Sequence, residues 1–518
     1  MKQGGRGVPE SGFKNETVGF TVGENTSDFF SFVVPDPDSV SKWEYVYIDR
    51  SGRILLGRIE RVIARSDLLN QGLDFTTVKK YVETDLADRV MICQAKSLGS
   101  LEGNTLSLSR KIIPPGSVVK RADRNMLEKF LNYPPDRSLV LGHLVDMDDT
   151  VVGVDINGLK RHLAILAQTG AGKSNAAAVL MEELLKKGAS IVVLDPHADY
   201  ALMKTGESAR KYSQDIRIFR TPLSSSRFLG ETGSLTSQFT IRFQDLDADE
   251  ISDIMGLKEE WSTMRKIVSD MVANIKAPRG IQEFIRAAED LKQEERSKIS
   301  GRLRILTKVK AIFSDITTPM EDYLSPGQLS ILDLSGMDQA LANYFSHRVL
   351  NTIYENKAES ASSLPVFIFI EEAHNFVPPN SRTMISQIIR RIASEGRKFG
   401  MFLVVISQRP GKLDQDVLSQ CNSNIILRVT NPLDQKAILE SSESISESIL
   451  QDLPGLNIGE AVLTGEFVRM PSIVRIRRRE TREGGGDVDL LSLLEESRKL
   501  REKRHSPSAF RKSVRDDL

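Results

Sequence analysis

Cysteine is nearly absent: the 518-residue sequence holds two, Cys93 and Cys421, far apart and outside any Cys-x-x-Cys pair. That excludes a disulfide scaffold and a clustered-thiolate zinc site, and it fits a reducing compartment. Long apolar runs are missing as well. No stretch approaches the ~18 uninterrupted apolar residues of a membrane-spanning helix. The opening MKQGGRGVPESGF also lacks the apolar core of a signal peptide. A cytoplasmic protein with no membrane partner is the expectation. Net charge is zero, because 70 basic side chains balance 70 acidic ones. Neutrality gives no argument for a polyanionic partner, yet a groove can be locally basic in a neutral chain. Arg475, Arg477, Arg478 and Arg479, followed by Arg498, Lys499, Arg501, Lys503 and Arg504, form one basic cluster, for which a solvated face or tail is the plainer reading. No short-period repeat is visible.

What is present is enough for several domains, since one hydrophobic core does not extend over a chain of this length. Residues 1–140 read as β-rich. EYVYID, RILLGRIERVI and RVMICQAK are short apolar or alternating runs between turn residues, and SRKIIPPGSVVKRA reads as a strand pair around a Pro-Pro-Gly turn. The expectation is a small N-terminal β-barrel. Over 141–480 the grammar becomes α/β: HLAIL, SIVVLD, LSILDLS, PVFIFIEE, MFLVVISQ and SNIILRV are buried-strand runs of a parallel sheet. Helical spacing at about 246–318 marks an insertion, and GEAVLTGEFVRMPSIVRIR reads as a hairpin. Over 481–518, a glycine linker at 484–486 leads to a terminal helix and tail.

LAQTGAGKSNAAAV, residues 166–179, is a phosphate-binding loop with one glycine missing. The pattern wants glycine, four residues, then Gly-Lys-Ser, and Ala167 stands at the first position. The amides of Gly170, Ala171, Gly172 and Lys173 can converge on a phosphate, helped by the helix dipole. Lys173 would reach the β- and γ-phosphates, and the Ser174 hydroxyl would bind Mg²⁺. Gln168 and Thr169 before these residues, and Asn175 after them, complete the expected nucleotide-contacting set. A left-handed backbone at Ala167 would cost about 1–2 kcal/mol. Charge-assisted contacts to a triphosphate contribute roughly 1.5–3 kcal/mol each, so a competent loop is expected.

Turnover needs more than a loop. In VFIFIEEAHNF a buried strand ends in two carboxylates, at the edge where open α/β sheets hold ligands. Glu371 would serve the Mg²⁺ shell through water, and Glu372 would be the general base. His374 reads as structural. Asp195 ends the strand SIVVLD at the same edge, beside the phosphate loop if the two strands are neighbours. Ser407 and Gln408 end MFLVVIS, where the neutral Gln408 amide could hydrogen-bond the γ-phosphate or the water. Arg397, after a helix and before that strand, could project across a subunit boundary as an arginine finger, and otherwise is a surface cation. Arg161, just before the strand HLAIL, is a second candidate for nucleotide contact, with a local salt bridge as the alternative.

With these motifs in place, nearly the whole chain resembles the HerA family of archaeal DNA translocases, relatives of FtsK. GVDINGLKRHLAILAQTGAGKSN, VVLDPHADY, FIEEAHNF, ASEGRKFG and ISQRP stand in that family's order and approximate spacing. The departures are Ala167 and the pair Ala198-Asp199, where relatives often carry Gly-Glu. The resemblance implies a RecA-like P-loop ATPase core behind the barrel, with ATP and Mg²⁺ between subunits of a homohexameric ring and double-stranded DNA in its channel. It further implies that Arg397, and with it Arg161, acts on a neighbour's nucleotide, and that a NurA-like nuclease is the partner in end resection during double-strand-break repair. Two rival classes stand beside this reading: a phosphotransferase or a transport ATPase for a non-DNA cargo, and a scaffold that uses ATP only to assemble.

Overall fold

Runs such as SIVVLD, VFIFI and MFLVVIS have no polar alternate positions, so they suit strands covered on both faces. The computed structural model describes residues 16–504 except 51–52, 85–88, 103–104, 108–110, 146, 206–211, 213, 226–227, 233–234, 276–279, 360–363, 443–444 and 485–489. The expected linker at 484–486 therefore falls mostly outside the described residues, as does the tail beyond 504. The apolar runs form a twelve-stranded sheet. Its parallel part runs, side by side, Thr236–Gln238, Ile216–Arg220, Leu329–Asp333, Ser190–Asp195, Val366–Ile370, Met401–Ser407, Leu163–Leu166 and Ser423–Ile426. The expected hairpin, Glu460–Gly465 and Ser472–Ile476, extends it antiparallel. Ser138–Leu144 and Met147–Asp155 close that side.

Pleat alternation divides the core. Ala164 and Leu166 pack on one face of the sheet, while Leu163 and Ile165 pack on the other with the helix Lys173–Lys186. The helical insertion covers the first face through Ile251, Val268, Phe284, Ile299 and Leu306. It leaves and re-enters the domain through two short strands, Ile241–Arg242 and Phe313–Ser314, which pair with each other.

The N-terminal strands Thr17–Val22, Phe29–Val34, Tyr45–Arg50, Arg53–Arg65, Val90–Glu102 and Val118–Arg121 close into a barrel, because Phe29–Val34 pairs with Val90–Glu102 as well as with Thr17–Val22. Closure removes exposed sheet edges. The expected strand pair around the Pro-Pro-Gly turn is corrected here. Among the described residues of this segment only Val118–Arg121 is a strand, pairing with Thr17–Val22 and Tyr45–Arg50. Barrel and sheet meet through Arg58, which is buried, stacks 4.1 Å from the centre of the Trp43 ring and donates to the Pro471 carbonyl at 2.7 Å.

Candidate nucleotide site

The strand Leu163–Leu166 ends at the glycine loop, and the helix Lys173–Lys186 begins directly behind it. Gly170 (φ 74°) and Gly172 (φ 101°) take left-handed backbone, which folds the loop back over the helix start. Gly172 is the helix N-cap and brings no capping side chain, so the first-turn amides are left for an anion. Ala167 is not among the positive-φ residues, and its N–H donates to the Ser407 carbonyl at 3.3 Å. The anticipated strain is absent, which is why alanine serves there. Ala171 is buried, and its amide closes an internal turn onto the Gln168 carbonyl. The cleft over the loop has a volume of about 390 Å³ and is lined by Gln168, Thr169, Gly170, Gly172, Lys173, Ser174, Asn175 and Gln408, among others.

Beneath it lies a buried ion cluster. Lys173 Nζ donates to Oε1 of both Glu371 and Glu372. Burial alone would push the Lys173 ammonium down, but the two carboxylates outweigh it and hold its pKa up. Glu371 is fully enclosed. Burial pushes its pKa up against the pull of Lys173, and its other oxygen accepts from the Tyr200 hydroxyl at 2.7 Å. Glu372 sits in left-handed backbone at φ 49°, ψ 47°, a conformation costing about 1–3 kcal/mol for a non-glycine residue. That turn aims its carboxylate at Lys173 and at the Gln408 amide, whose N–H lies 3.4 Å from Oε2. The Gln408 side chain accepts from the Thr169 hydroxyl, so it spans the space between loop and base. His374, read as structural from sequence, has Nδ1 3.3 Å from Glu372 Oε2 and 3.1 Å from the Ser407 hydroxyl.

Asp195 is corrected. Its strand neighbours Leu329–Asp333 and Val366–Ile370, so two strands separate it from the phosphate-loop strand. Its carboxylate is spent on its own turn, accepting from the amides of His197, Asp199 and Tyr200 at 3.0–3.3 Å. That turn delivers Asp199 to the cleft instead, where its Oδ2 accepts from the Ser174 hydroxyl at 2.9 Å. Asn175 lines the cleft, but its side chain is held, donating to the Arg477 carbonyl at 2.9 Å and accepting from the Arg479 amide at 3.1 Å.

The two arginines lie elsewhere. Arg161 and Arg397 line a cavity of about 230 Å³ with His162, Gln420 and Asn422, at the N-terminal ends of their strands. The strand Leu163–Leu166, roughly 13 Å long at 3.3 Å per residue, separates that cavity from the loop. Arg161 pairs with Glu466 at 2.7 Å, and Arg397 is exposed. Neither can reach its own chain's cleft.

A sequence model described as the central domain of helicase HerA matches residues 139–353. The DNA double-strand break repair helicase HerA of Pyrococcus furiosus is 28% identical over 89% of this chain and 92% of its own length. A probable helicase of Methanocaldococcus jannaschii is 30% identical over 93% of this chain and 94% of its own. The chain belongs to the HerA helicase family. As a HerA protein it is a P-loop ATPase whose RecA-like sheet carries an N-terminal barrel. Among solved structures, that of VirB4 from Thermoanaerobacter pseudethanolicus aligns at 17% identity over 67% of this chain and 98% of its own, with a TM-score of 0.46. Among the described residues no helix is long and apolar enough to cross a membrane.

Two residues of this HerA chain escaped the sequence reading. Asp199 stood out only as a departure from Gly-Glu. The signal was its neighbour: Ala198 has φ 60°, a conformation that suits glycine and that turns the next carboxylate into the cleft. Arg479 was counted in a basic cluster that is exposed at Arg475, Arg478, Arg498, Lys499 and Arg501, as a solvated face or tail would be, but it is itself half-buried. Arg475 pairs with Asp148 and Glu460, and Arg477 with Glu182 and Glu183.

Proposed function

We propose that this protein is an ATP-driven motor that translocates along or unwinds double-stranded DNA as a homohexameric ring, working with a NurA-like nuclease in the resection of broken ends. The observation that carries the reading is the contact of Lys173 with Glu371 and Glu372, which puts phosphate ligand and general base within one side chain's reach.

In this reading the loop amides and Lys173 hold the phosphates of ATP. Reaching them draws Lys173 away from Glu372, and so frees that carboxylate to accept a proton from the attacking water. Gln408, bridging Thr169 and the Glu372 side of the cleft, orients that water. The bond from the γ-phosphorus to the β-γ bridging oxygen breaks, giving ADP and phosphate. Among the described residues no group of three or more His, Cys, Asp or Glu forms a metal cage. The donor set of Ser174 hydroxyl beside Asp199 nevertheless suits Mg²⁺, which keeps several waters and phosphate oxygens as ligands. Ser174 and Asp199 would hold it, with Glu371 as an outer carboxylate, and the ion would neutralise phosphate charge.

Arg397 and Arg161, remote from the cleft in their own chain, would serve a neighbour's site, and ATP would then favour a closed boundary that ADP releases. Duplex held in the channel through its phosphates would be bound without sequence preference, and less tightly as salt rises. A non-DNA cargo remains the rival reading; a purely structural use of ATP is opposed by the complete hydrolytic set. ATP turnover with and without linear duplex DNA, beside the mass of the assembly, tests the proposal. A hexameric mass and DNA-stimulated turnover are expected, whereas a monomer indifferent to DNA would overturn it.

A further inference from the structure

Arg479 is a half-buried cation whose two terminal nitrogens are buried with no anion bonded to them. It follows the strand Ser472–Ile476 in a segment fastened to the phosphate-loop helix. Glu182 Oε1 accepts from the amides of Glu480 and Thr481 and from the Thr481 hydroxyl, each at 2.8 Å. Glu182 and Glu183 take the Arg477 guanidinium at 2.9 and 3.0 Å, and Asn175 Oδ1 takes the Arg479 amide at 3.1 Å. So the backbone of Arg479 is fixed. Its Nε donates to the Thr481 hydroxyl at 3.2 Å, but Nη1 and Nη2 are buried and reach no acceptor among the described residues. The guanidinium carbon stands 6.0 Å from the centre of the Tyr200 ring. Burial pulls its pKa down, against the opposing pull of Tyr200, Glu182, Glu483 and Asp199.

The position of this group matters. Asn175, to which its backbone is bonded, lines the cleft, and so do Asp199 and Glu483, two carboxylates near enough to act on its charge. A phosphate loop cradles the α- and β-phosphates with the amides of its loop, while its lysine reaches the β- and γ-phosphates. Asn175, two residues into the helix, marks the α-phosphate side. Buried donors without partners are rare in folded proteins, and a site that receives an anion is one place where they persist. Asp199 and Glu483 would otherwise repel a phosphate on this side.

We propose that Arg479 is a nucleotide-binding residue that donates, within the same subunit, to the α-phosphate of the bound nucleotide. This rests on the reading of the cleft as the nucleotide site. Because ADP and ATP share that phosphate, losing the contact weakens both alike. An arginine acting on the transferred phosphoryl group would discriminate between them.

The test is the affinity of ADP and ATP for the full-length protein, measured by calorimetry in a Glu372→Gln background, with Arg479→Met, Arg479→Lys and Lys173→Ala compared. Arg479→Met is expected to weaken ADP and ATP by the same factor, on the order of 10-fold or more. Arg479→Lys should lose less, and the nucleotide-free Arg479→Met protein should melt no lower than its parent. Unchanged affinities in Arg479→Met would overturn the inference, as would a loss confined to ATP. So would a fall in the melting temperature of the nucleotide-free variant, which would assign Arg479 to the fold. If the parent itself binds no nucleotide, the reading of the cleft falls first, and the two failures are told apart.

Discussion

The strand Leu163–Leu166 joins two places furnished in opposite ways. At its C-terminal end a cation, Lys173, is saturated by two carboxylates under a loop of uncapped amides. At its N-terminal end Arg397 stands exposed beside Arg161, which Glu466 pairs at 2.7 Å, above a neutral imidazole. On the proposed reading, one end binds the nucleotide and takes up the proton but lacks a cation for the charge that develops as phosphate departs. The other offers that cation with nothing to act on. In a single copy the sheet keeps the halves apart; on the proposed reading a second copy brings them together, through a head-to-tail contact that makes a ring where its rotation closes.

The largest expected effect is at the saturated end. Lys173→Ala removes the ligand of the phosphates, and ATP binding by calorimetry should be lost. It also strands two buried carboxylates, for which a loss of roughly 3 kcal/mol is typical. Urea unfolding without nucleotide should show that loss at pH 7.5 and a partial recovery under mild acid, as the Glu371 carboxyl, pushed up by burial, protonates. A variant as stable as the parent would mean that the ion cluster does not exist before nucleotide arrives.

His162 tests the other end. Its Nδ1 accepts from the Leu403 amide at 2.9 Å, its Nε2 lies 3.0 Å from the Ala393 carbonyl, and burial pushes its pKa down to about 4. The unfolded value is near 6.5, so the folded state binds fewer protons between the two. The imidazole's contribution is therefore complete above pH 6.5 and is lost as pH falls towards 4, at up to about 1.4 kcal/mol per pH unit. In His162→Asn the fall in urea midpoint over that window should flatten. An unchanged pH slope would show that the floor of the arginine cavity is not neutral.

The smallest effects are two alanine-to-glycine changes of opposite sign. Ala198→Gly relieves a left-handed alanine and should stabilise by about 1 kcal/mol, read as a shift in urea midpoint. Ala167→Gly relieves nothing and should cost about 0.5–1 kcal/mol through chain entropy. Equal signs would contradict the backbone assigned to the loop.

The loop, the paired glutamates and the glutamine could be read from the sequence because each sits at the end of an apolar run, and chain order alone fixes which residues leave a strand. Strand order cannot be read that way. Asp195 ends its strand just as Glu371 does, yet two intervening strands and three backbone amides remove it from the cleft. Arg479 lies 306 positions after Lys173 in the sequence, and only the return of the final hairpin beside the phosphate-loop helix brings it near. The strands Ser138–Leu144 and Met147–Asp155 were not singled out in the sequence, and they join the large sheet because Ser472–Ile476 offers them an edge. Sequence locality carried the chemistry of single strand ends; tertiary return decided the rest.

Mixing Arg397→Ala protein with Glu372→Gln protein measures the split site most directly. Each alone should be nearly inactive. In mixed assemblies, boundaries that pair an intact Glu372 with a neighbour's intact Arg397 should restore turnover, towards about a quarter of the parent rate at equal proportions. Turnover that stays at the level of the separate variants at every ratio would contradict the account.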